Sequence, residues 1–162
     1  RIPTYTLTTG ATGTWRFPLP AGTYRLVSGF RPPHRPTHDG IDLAAATGTP
    51  IYAAAAGVVL DARCTSDYCN RPGNPNLPGC GLLININHGD GIATRYCHAV
   101  RLNVRPGALV QAGQLIAWVG STGNSSGPHL HFEIHRNAPP LTPTTAINPV
   151  PLLAAAGAGQ PS

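Results

Sequence analysis

The chain reads as a mainly β domain, and three observations carry that reading. Its 162 residues include 19 glycines and 18 prolines, which interrupt the sequence too often for long helices. Strong helix formers other than Ala and Leu are scarce. Between the breaks lie short apolar runs bounded by turn residues, the pattern of strands. The length suits one domain with a real core and is short for two.

Taken in order, residues 1–14 are rich in Thr and Gly without apolar periodicity, and read as a lead-in segment or an edge strand. Residues 15–27 carry apolar anchors broken by prolines. Residues 31–37 form a proline-rich loop. Residues 51–53 and 57–60 read as two strands around a turn of small residues, and 61–80 as a long loop holding three of the four cysteines. Residues 82–87 and 92–98 read as a β-hairpin turned by His88-Gly89-Asp90-Gly91, with Asp-Gly as the turn signal. Residues 109–110 and 115–119 are further strands, 120–128 a loop, and 130–134 a strand. After Pro149 the sequence thins into Ala and Gly, so a domain over 15–150 is expected to be followed by a flexible tail over 151–162.

Composition narrows the function. All eleven basic residues are arginine, Glu133 is the single glutamate, and the net charge is +5. That balance suits an anionic partner. The arginines are scattered, with no aromatic-basic interleaving, which argues against nucleic acid. No apolar run approaches the ~18–20 residues of a membrane span. No signal-peptide pattern opens the sequence, so any export signal has been removed or lies outside it. Cys64, Cys69, Cys80 and Cys97 contain no C-x-x-C pair, which favours disulfides of an oxidising compartment over a four-cysteine zinc site. Of three connectivities, Cys64–Cys69 with Cys80–Cys97 is preferred: the first closes a tight loop and the second can cross-link neighbouring strands.

Two runs carry the chemistry. His38-Asp39-Gly40-Ile41-Asp42 places an imidazole and a carboxylate four residues apart, and His129-Leu130-His131 places two imidazoles on alternate positions. In extended chain i, i+2 and i+4 share a face, so each pair can converge, with Gly40 leaving room between His38 and Asp42. Two histidines and a carboxylate with one open position are the ligand set of a catalytic zinc site. His34, in the proline loop, is a competing ligand. Glu133 shares the face of His131 and reads either as a partner that orients it or as half of an arginine salt bridge. His88 and His135 read as structural or surface histidines, and Trp118 and Tyr52 as core.

The runs His38-Asp39-Gly40-Ile41-Asp42-Leu43, Gly48-Thr49-Pro50-Ile51-Tyr52-Ala53, Thr94-Arg95-Tyr96-Cys97-His98 and Gly120-Ser121-Thr122-Gly123 through His129-Leu130-His131-Phe132-Glu133 resemble, in order and spacing, the lysostaphin/LytM family of zinc peptidoglycan endopeptidases. The resemblance implies a LytM-type domain of antiparallel sheets, sandwich-like or open-barrel-like, with long loops forming a substrate groove. It assigns one zinc ion per chain to His38, Asp42 and His131, and catalysis to His98 and His129. It implies an exported bacterial protein, expected to be a monomer, acting on peptidoglycan peptides. The alternative on the same fold is a non-catalytic wall-binding or amidase-activating module. In the groove, Arg31 is a substitute for the tyrosine the family often carries before its first zinc histidine, a position where this chain has none. Thr122, Asn124 and Ser125 lie in a loop that reads as either a plain turn or, the reading favoured here, a groove wall. The cysteine-bearing segment around 64–80 is longer than the family's usual connection and is expected to shape another wall.

Overall fold

A computed structural model describes residues 15–155. Its elements are β1 (Tyr24–Ser28), β2 (Ile41–Ala45), β3 (Pro50–Tyr52), β4 (Gly57–Cys64), β5 (Leu82–Gly89), β6 (Ile92–Leu102), β7 (Leu109–Val110), β8 (Leu115–Val119), β9 (His129–Arg136), β10 (Ala146–Ile147) and one helix, α1 (Pro149–Ala155). The lead-in expected over residues 1–14 lies outside the described residues.

All strand pairings are antiparallel, and they join into one sheet of order β1-β2-β9-β6-β5-β4-β7 that does not close. The expected set of sheets merges into one because β6 is long enough to serve three neighbours. Its residues 92–97 pair with β9, residues 99–102 pair with β8, and the opposite edge pairs with β5. The change of partner falls at His98, whose φ of 69° lies in the left-handed region that a non-glycine residue seldom adopts. The His98 amide is held there by the Cys80 carbonyl at 2.7 Å.

Side-chain alternation then sorts the two strands that matter. Ile41 and Leu43 of β2, and Leu130, Phe132 and Ile134 of β9, are fully buried in the core with Trp15 and Tyr96. The intervening Asp42, His129, His131 and Glu133 therefore stand on the other face. Register finishes the arrangement, because Asp42 pairs directly with His131.

Two readings of the sequence need correction. Residues 151–155 are not the start of a flexible tail: they belong to α1, whose Leu152 and Leu153 are fully buried. A helix this short gains its stability from packing rather than propensity, so little in its local sequence announces it. Residues 156–162 lie outside the described residues. Trp118 and Tyr52 are half-buried rather than core, and the Arg101 guanidinium lies 5.0 Å over the Trp118 ring. Of the two readings given for His88 and His135, the structural one applies: both are deeply buried, His88 bonding Ala56 O and Thr94 Oγ1, and His135 bonding Glu133 and Thr145. Among the described residues, no helix is long and apolar enough to cross a membrane.

Candidate active site

His38, Asp42 and His131 form a group whose ligand atoms all lie within 4.8 Å of one another. Asp42 comes from β2 and His131 from β9, while His38 precedes β2 in a turn, so the first pair does not share a strand. Gly40 is small for a different reason than room for a metal. A Cβ there would sit 2.3 Å from the Phe132 carbonyl oxygen and 2.9 Å from Glu133 Cγ, so the missing side chain lets the His38 turn close on β9.

The hydrogen bonds fix which nitrogen each ring offers. His38 Nδ1–H donates to Gly29 O at 2.7 Å, leaving Nε2 with a lone pair. That Nε2 is buried and has no hydrogen-bond partner, although Asp42 Oδ2 lies 3.1 Å away. An orphaned buried acceptor beside a carboxylate is what a metal ligand requires. His131 turns Nδ1 towards Asp42 Oδ1 at 2.9 Å and Nε2 towards Glu133 Oε2 at 2.7 Å. The carboxylate behind the ring orients it as outer-shell carboxylates orient metal-bound imidazoles. Glu133 is itself held by His135 at 2.5 Å and approached by Arg95 at 3.7 Å, so both readings of this residue apply at once. The donor set therefore fits a zinc ion.

Electrostatics follow the same partition. Burial opposes charge on Asp42, but the hydrogen bond from His131 and the close His38 and His129 imidazoles outweigh it and hold the carboxyl far below the usual range. Burial also opposes ionisation of Glu133, yet its bonds to His131 and His135 bring it down to about 2. His131, between two carboxylates, is raised to about 9 against the effect of its burial. His98 goes the other way, lowered to about 4 chiefly by burial and then by the neighbouring His129.

His98 and His129 complete the pocket, with ring centroids 4.7 Å apart. His98 Nδ1–H donates to Thr122 O at 2.7 Å and His129 Nδ1–H to Gly127 O at 2.8 Å, so each keeps its Nε2 as an acceptor. His129 Nε2 stands 3.7 Å from Asp42 Oδ1. His34 is exposed and outside the ligand group.

The remaining groove candidates divide. Arg31 is turned away: its guanidinium is committed to Asp39 at 2.9 Å and to Pro143 O at 2.6 Å. Arg35 stands in the pocket instead, 3.1 Å from Asp42 Oδ2 and 2.8 Å from Ser28 Oγ. Nothing in the local sequence separates it from Arg31 except its place three residues before His38. The Thr122 side chain is buried, bonding Ala99 O and Leu82 N, so its part is to present the carbonyl that holds His98. Ser125 is also buried and bonds Gly127 O. Asn124 is exposed at the pocket wall. Cys64 pairs with Cys69 and Cys80 with Cys97, and Cys80 lies in the pocket lining.

Residues 36–143 match Peptidase family M23. The chain is 39% identical over 116 residues to the DD-carboxypeptidase/endopeptidase Mpg of Neisseria meningitidis, covering 72% of this chain and 24% of that protein. Among solved structures, the antimicrobial peptidase lysostaphin from Staphylococcus simulans superposes with a TM-score of 0.70 at 36% identity, over 84% of this chain and 51% of that one. A zinc-containing peptidase from Vibrio cholerae gives 0.66 at 31% identity, over 83% and 39%. The chain thus spans about a quarter of the length of the curated relatives it matches.

Proposed function

The chain belongs to peptidase family M23, a metallopeptidase family, and from that premise we propose that it is a zinc-dependent endopeptidase cutting peptide bonds in the stems or cross-links of bacterial peptidoglycan. One observation carries the reading: a three-residue ligand group and two further imidazoles with outward acceptors meet in a single pocket. His38 through Nε2, Asp42 through a carboxylate oxygen and His131 through Nδ1 hold the metal. Zinc bound there supplies Lewis acidity, which polarises a carbonyl and brings the ionisation of water near neutral pH.

The chain's own groups supply the rest. His98 is neutral at neutral pH, so its Nε2 can take a proton. His129 Nε2, beside the Asp42 carboxylate, can receive the same proton or pass one to a departing amine. Thr122 O and Gly127 O keep both rings in the tautomer this needs. Glu133 fixes the His131 ring, and Arg35 orients Asp42. The presence of all these groups supports catalysis over a non-catalytic wall-binding module. Relatives named for peptidoglycan cleavage, together with two disulfides, support action outside the cytoplasm in an oxidising compartment.

The test is direct. Purified protein should hold about one zinc per chain, release fragments from purified peptidoglycan, and stop when chelated. Mass spectrometry of the fragments identifies the bond. A zinc-loaded protein that releases nothing from sacculi of any cross-link chemistry would overturn the proposal.

A further inference from the structure

A cleft of about 640 Å³ leads away from the histidine pocket, between residues 69–75 of the cysteine-bearing segment and the loop before β9. Pro75, Ser125 and Ser126 line both spaces, so the two adjoin. The walls are tied to each other: Gly73 N donates to Ser121 O at 2.9 Å and Asn124 N to Gly79 O at 3.0 Å. A Cβ on Gly73 would collide with the Gly123 carbonyl, so the two walls touch at that point. Pro72, Pro75, Pro128 and Val100 make the lining largely apolar.

Among the described residues, Arg71 is the one ionisable side chain along this cleft. Its guanidinium lies 3.7 Å over the Tyr68 ring and donates to Asn70 Oδ1 at 3.2 Å. The Cys64–Cys69 disulfide closes the chain just before it. Arg71 is exposed and has no ion pair among the described residues, so its permanent charge stands at the cleft without a counter-charge, restrained by the Tyr68 ring. A planar guanidinium presents paired N–H donors that match a carboxylate, and prior immobilisation lowers the entropic cost of using them.

We infer that this cleft is a substrate subsite for a stretch of peptide carrying a free carboxylate, and that Arg71 is the residue that recognises it. The inference rests on the endopeptidase reading above and adds the charge of the segment flanking the cut bond. In a stem peptide that carboxylate has two sources, a side chain or the C-terminus.

Three matched stem peptides separate them: unmodified, amidated at the side-chain carboxylate, and amidated at the C-terminus. Binding is read by fluorescence anisotropy on the metal-free full chain, and kcat/KM on the zinc-loaded chain. One of the two amidations should weaken wild-type binding about tenfold, as loss of a charge-assisted contact at an open site does. Arg71→Ala should impose the same loss on the unmodified peptide and none on that amide, while Arg71→Lys retains part of the preference. Equal binding of all three peptides by wild type, or an acid-over-amide preference that survives Arg71→Ala, overturns the subsite. Cleavage without Arg71-dependent preference does so and leaves the peptidase reading intact. Arg71-dependent carboxylate binding without cleavage by the zinc-loaded chain supports the subsite and overturns the peptidase reading instead.

Discussion

His98 and His129 give their Nδ1 protons to the carbonyls of Thr122 and Gly127, whereas His131 is caught between the carboxylates of Asp42 and Glu133. Side chains of one type are thereby set to different work, and variants should separate them. His98→Ala and His129→Ala should keep zinc near one per chain and lose turnover by about 10²–10⁴-fold, the range for a general acid or base. Loss of zinc from either would assign it to the metal instead. Glu133→Gln should keep the fold and weaken zinc about 10–100-fold, measured by chelator competition, because the ring loses its carboxylate partner. The His131 value near 9 sets a further sign. Below that pH the metal-free ring is charged and zinc must displace a proton, so zinc affinity should rise about tenfold per pH unit from neutrality towards 9 and then level off. A flat profile over that range would show that the metal-free His131 ring is already neutral between its two carboxylates. At this scale the H-x-x-x-D and H-x-H spacings were legible in the sequence, because they are local. The choice of Arg35 over Arg31 was not: it depends on Asp39 and Pro143 drawing Arg31 away.

Asp42 and His131 are 89 positions apart in sequence and directly opposite in space. Alternation along one strand says which residues share a face, but only pairing says which strand lies alongside, and register is long-range information. The exact sense of Gly40 was hidden for the same reason. Its constraint comes from β9, where the Phe132 carbonyl occupies the space a side chain needs. Gly40→Ala should therefore push the His38 turn away from β9, costing about 1–3 kcal/mol as overpacking does. Zinc binding should weaken with it, since His38 is carried on that turn. A Gly40→Ala protein with wild-type melting temperature and zinc affinity would show that the turn has slack.

The mainly β class was evident from glycine and proline density; the single open sheet was not, because it depends on β6 changing partner at His98. The C-terminal end shows the limit most clearly. Pro-Val-Pro-Leu-Leu-Ala-Ala has seven residues, too few to display a helical period, and it runs into an Ala/Gly stretch typical of linkers. Alone it would not hold a helix. Its two leucines are fully buried in the hydrophobic cluster that includes Leu130, Phe132 and Ile134, the core side of the strand that bears His129 and His131. Burial of this kind makes α1 part of the support for β9 rather than an appendage. Leu152→Ala and Leu153→Ala should each cost about 2–5 kcal/mol, and a domain of this size loses about 2–4 °C of Tm per kcal/mol. Each variant should therefore melt at least about 4 °C below wild type. The fraction still folded should bind zinc at wild-type stoichiometry, since neither leucine touches the ligand face. A melting temperature within about 1 °C of wild type, well short of that shift, would return these residues to the status of a tail.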